Sequence, residues 1–100
     1  MSAFVTAKMS MSVQRHVLTT GQCRVLCARM LARGENILHC EVIDSVLHVR
    51  MMVPTGKNRV DSNKIKEKHA ENIRQIANDI CRDLKAEKAR QRSYGHHARR

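Results

Sequence analysis

The spacing of apolar residues changes period three times along these 100 residues, and the order of those periods limits the chain to one arrangement of elements. From Ala3 to Val13 the period is two. Ala3, Val5, Ala7, Met9, Met11 and Val13 share one side, and Phe4, Thr6, Lys8, Ser10, Ser12 and Gln14 the other. Side chains of a strand alternate between its faces, so the run predicts a half-buried strand, with Phe4 the one misfit on the polar side.

The period then becomes helical. Thr19 or Thr20 supplies an N-cap, and Cys23, Leu26, Cys27, Met30 and Leu31 recur on one face. Gln22, Arg24, Arg29 and Arg33 decorate the other side, and Gly34 is a natural end, which gives a helix of roughly 13 residues. Two alternating runs follow. Leu38, Cys40 and Val42 share a face, as do Leu47, Val49, Met51 and Val53. A turn at Asp44-Ser45 pairs Val42 with Leu47, Cys40 with Val49 and Leu38 with Met51, while Glu41 meets His48 and His39 meets Arg50 outside. Pro54 closes the second run, since it cannot donate to a ladder, and Thr55 to Asn58 reads as a loop.

The last period is helical again. Asp61, Ser62 or Asn63 caps a stripe of Ile65, His69, Ile73, Ile76, Ala77, Ile80 and Leu84. Helix-forming residues continue to Arg92 without that stripe. The order is β-α-β-β-α: a small single α+β domain, with an antiparallel hairpin, two helices packed on one sheet face and a long basic C-terminal helix. Residues 1–84 read as the compact domain and 85–100 as a basic helical extension and tail.

Charge points to the partner. No acid precedes Glu35, although Lys8, Arg15, Arg24, Arg29 and Arg33 do. The segment Lys85–Arg100 has six Lys or Arg and the single acid Glu87, and the chain carries a formal net charge of +10. Such a field attracts phosphates or acidic protein faces. Phe4 and Tyr94 are the only aromatics, so few side chains suit base stacking, and the core must come from Leu, Ile, Val and six Met.

Other chemistries have little to stand on. Cys23 and Cys27 are four apart, with Cys40, His39 and His48 as further conceivable ligands, but both fall on the core stripe and no second paired motif completes a zinc signature. No metal or other cofactor is expected. A cysteine nucleophile with His39 or His48 as base would need an exposed thiolate, whereas Cys40 faces inward and both histidines outward, so no enzyme is expected either. Pro54-Thr55-Gly56-Lys57 lacks the spaced glycines and following hydroxyl of a phosphate loop. No apolar run spans a membrane. Residues 1–34 have the acid-free, Ser-, Thr- and Arg-containing composition of a presequence but a strand period instead of a helical one. Four cysteines on apolar faces suit free thiols in the reducing cytoplasm.

The expected function is a small basic non-enzymatic protein that associates with DNA or RNA through backbone phosphates. Its candidate contacts are Arg24, Arg29 and Arg33 on the first helix, Lys57 and Arg59 in the loop, and Lys85, Lys88, Arg90 and Arg92 on the last. The alternative is a small regulator or inhibitor, of the virus- or plasmid-accessory type, that binds an acidic or nucleic-acid-processing protein. Asp79, Asp83 and Glu87, at successive steps of four, form an acidic ridge that favours this second reading.

Overall fold

The computed structural model describes the backbone of residues 3–34 and 36–98, and the side chains of those through residue 89. Three strands and two helices follow the expected order: β1 (Phe4–Ser12), α1 (Thr20–Arg33), β2 (Ile37–Ile43), β3 (Val46–Pro54) and α2 (Arg59–Ala98), with one 3₁₀ turn, Gln14–His16, before α1. The sheet order is β1-β3-β2, with both outer strands antiparallel to β3. Thus β1 and β2 run parallel, β3 lies between them, and α1 makes the crossing.

The register sorts side chains onto two faces. Met9, Val49 and Cys40 are aligned across the three strands, as are Met11, Leu47 and Val42. They face the helices and join Leu26 and Met30 of α1 and Ile73, Ala77, Ile80 and Leu84 of α2 in one core. The core is aliphatic and sulfur-rich, as the composition requires; Phe4 remains outside it.

Local chemistry explains the element ends. Thr19 accepts the Gln22 backbone N–H through its side chain while the Gln22 side chain accepts the Thr19 N–H, a reciprocal capping box. The Gly34 N–H donates to the Met30 carbonyl at the other end. Asp44 (φ 51°) and Ser45 (φ 62°) both take the left-handed conformation, the pair of angles that matches the twist of a two-residue hairpin turn. Asp accepts this region readily; Ser does so at some cost.

Four details differ from the sequence reading. Leu38 does not pair with Met51; Ile37 does, and a register shift between Ile37 and His39 turns Leu38 outward, where it is 53% exposed. Leu31 is likewise exposed, because the core face of α1 narrows to Leu26 and Met30 with Cys23 and Cys27 half-buried beside them. The helix α2 begins ahead of Asp61: Asn58 is the acceptor for the Asp61 N–H, and Ser62 accepts the Gly56 N–H from within the first turn. Its buried stripe also includes Ala70 and Cys81.

Candidate nucleic-acid interface

The cations of the two helices divide into those held by acids and those left over. Arg29 and Arg33 belong to the first group. One guanidinium nitrogen of Arg29, Nη2, donates to both carboxylate oxygens of Glu87 at 2.9 and 3.1 Å. One turn along, Arg33 meets Asp83 at 3.5 Å. Residues four apart lie on the same helix side, so two rungs of a ladder join antiparallel helices. The acidic ridge is therefore turned onto the molecule itself: Asp83 and Glu87 meet α1, and Asp79 lies 3.7 Å from Arg82 on its own helix. Glu71 and Arg74 form a similar pair at 3.8 Å. Arg15, from the 3₁₀ turn, donates to Asn78 Oδ1 at 2.9 Å and lies outside any ion pair among the described residues.

The second group is the other described candidates. Arg24, Lys57, Arg59, Lys85 and Lys88 make no ion pair among the described residues, and all five are exposed. They do not converge. Arg59 and Lys85 are 26 positions apart on one helix, or about 39 Å at 1.5 Å per residue. Lys85 and Lys88 line a shallow groove with His16, Val17, Leu18 and Gln22. The side chains of Arg90 and Arg92 lie outside the described residues, on the continuation of that helix.

A second basic surface lies on the uncovered face of the sheet. The register places Lys8 of β1 opposite Arg50 of β3, and Arg50 opposite His39 of β2. The adjacent row is Ser10, His48 and Glu41. These residues line a groove of about 320 Å³ with Ile43 at its end. Like charges directly opposite each other destabilise a sheet, by about 0.2–1 kcal/mol per pair, and Lys8 and Arg50 have no carboxylate in their own row. The only acid is Glu41, whose carboxylate lies 3.7 Å from His39. The sequence places His39, His48, Glu41 and Arg50 on an outer hairpin face. It does not bring Lys8 there, because the partner of β1 is not readable from β1 alone; the signal that could have found it is the length match of β1 to β3, which share nine residues.

Three of the four thiols are protected. Burial pushes the Cys40 thiol up to about 12, with the neighbouring Cys27 adding to the shift. Burial likewise raises Cys27 and Cys81. A thiol held protonated is neither a nucleophile nor a ready metal ligand, and no three His, Cys, Asp or Glu side chains converge as a metal cage among the described residues. Among the same residues no helix is long and apolar enough to cross a membrane.

Compared with known proteins, the chain matches no family model, no curated protein and no solved structure.

Proposed function

We propose that this chain is a small, cytoplasmic, non-enzymatic protein that associates with nucleic acid through backbone phosphates. One observation carries the reading: once the ladder between the helices is formed, Arg24, Lys57, Arg59, Lys85 and Lys88 remain without acidic partners among the described residues. Their spread over α1, the loop before α2 and the length of α2 suits a polyanion, whose charges repeat at short intervals, better than a small ligand, which needs convergent groups. The four unpaired cysteines, two of them buried, support a reducing compartment.

The alternative, a regulator that docks on a protein, loses its specific support, because Asp83 and Glu87 already have partners on α1. The test is binding of the full chain and its Lys85→Gln/Lys88→Gln variant to DNA and RNA duplexes at low salt. Weaker binding of the variant, with a salt slope reduced by about 0.9 per lost phosphate contact, supports the proposal. Absence of binding by the unaltered chain to these duplexes and to single strands of either kind overturns it and directs attention to a protein partner.

A further inference from the structure

The open sheet face has a composition that phosphate contact alone does not explain. Phe4, the only aromatic among the described side chains, is 48% exposed on β1, on the same face as Lys8. Its strand partner is Pro54, and the next row outward is Thr6 and Met52, so one corner of this face is apolar. Four residues along the strand, or about 13 Å, lies the row Lys8, Arg50, His39. Beyond it, the groove contains two uncharged or negative acceptors, Ser10 and Glu41. An exposed ring, a cationic row and hydroxyl acceptors thus share one sheet surface that neither helix covers.

We propose that this face binds single-stranded RNA, with Phe4 stacking on a base and Lys8 and Arg50 holding phosphates. The inference rests on the nucleic-acid reading above and adds a site and a strand class to it. A duplex hides its bases in the stack, so the exposed Phe4 ring can stack only on a strand whose bases are free. Glu41 argues for RNA in particular. A carboxylate repels phosphate, but it accepts a hydrogen bond from a ribose 2′-hydroxyl, as does the Ser10 oxygen. His39 and His48 complete the groove as hydrogen-bonding side chains.

The experiment uses the full chain and a fluorescein-labelled single-stranded RNA of about 12 nucleotides, a length within the span of small binding folds. Its duplex and the DNA strand of the same sequence serve as comparisons. The single-stranded RNA should bind more tightly than either. Phe4→Leu, which keeps an apolar side chain at an exposed position, should weaken single-strand binding about fivefold or more and leave duplex binding unchanged. Lys8→Ala/Arg50→Ala should flatten the single-strand salt slope by about 1.4. Circular dichroism of each variant checks that the fold persists. Unchanged single-strand affinity in both variants, with Lys85→Gln/Lys88→Gln still weakening it, would overturn the sheet site and leave phosphate binding by the helix intact. Equal binding of the DNA strand would overturn the assignment to RNA. No binding of any probe at low salt would remove both proposals together.

Discussion

Arg29 of α1 and Glu87 of α2 are joined by two hydrogen bonds from a single guanidinium nitrogen, 2.9 and 3.1 Å long, across 58 residues of sequence. Glu87 lies three residues beyond Leu84, the last buried position of the α2 stripe among the described residues. A charged contact thus extends the packing of the two helices beyond Leu84. It also takes one basic residue out of the set free to meet a polyanion.

Both partners are about one-third exposed, so solvent screens the pair and its contribution is modest. A double-mutant cycle of Arg29→Ala and Glu87→Ala should give a coupling energy of about 0.5–1 kcal/mol, measured by urea denaturation. Arg33 and Asp83, more exposed and 3.5 Å apart, should couple less. Glu87→Gln should also raise affinity for nucleic acid, because it removes a negative charge and releases Arg29.

Val17 is the clearest strained residue. It adopts φ 49° and ψ 60°, the left-handed region that disfavours a β-branched side chain, and it is 81% exposed. Nothing buried would be lost by removing it. Val17→Gly should therefore raise stability by about 1 kcal/mol, read as an increased midpoint of thermal unfolding. A decrease would mean that the Val17 side chain contributes packing against the Lys85–Lys88 groove that its exposure does not suggest.

Most of the fold is legible in the sequence because burial imposes a period on it. The inward face of the hairpin, including Cys40 with Val49 and Val42 with Leu47, is already implied by alternation and a two-residue turn. The bulge at Leu38 is not, since a register shift leaves the count of apolar residues unchanged and shows only in the backbone. The start of α2 is hidden for a similar reason. Asp61, Ser62 and Asn63 all have capping side chains, and Asn58 prevails over them because the chain turns three residues earlier, where Gly56 packs directly on Asp61 and Ser62. The candidate site is less legible than the fold. Net charge marks Arg29 and Arg33 as surface cations, yet only the approach of α1 to α2 reveals that acids fifty or more positions away hold them. The alignment of Lys8 with Arg50 depends equally on which strand β1 chooses.

That alignment makes opposite predictions for stability and binding. Lys8→Glu places a carboxylate opposite Arg50 and should stabilise the sheet by about 0.5 kcal/mol. The same change should weaken RNA binding at the sheet face. A variant that becomes both more stable and a poorer binder marks a position kept for function at the expense of the fold. Loss of stability in Lys8→Glu would contradict the register argument.

Cys40 gives the fold a defined alkaline limit. Its thiol rises from an ordinary 9.0 to about 12 in the folded chain, chiefly through burial. The folded state therefore holds this proton more tightly than the unfolded state. The resulting stability is fully present below about pH 9 and is lost progressively as the pH rises towards about 12. Urea midpoints at pH 7.5, 9 and 10 should fall with pH, and Cys40→Ala should show a shallower fall on a less stable background. A Cys40→Ala slope equal to that of the unaltered chain would assign the alkaline loss to other groups.

The most direct measurement is the affinity of the full chain for nucleic acid by fluorescence anisotropy between about 50 and 200 mM salt, plotted as log affinity against log salt concentration. Contact of several cations with phosphates predicts a straight line of slope between about −3 and −5, reflecting counterions released from each phosphate contacted. A flat line, or no binding at the lowest salt, would contradict a phosphate-binding role for this chain.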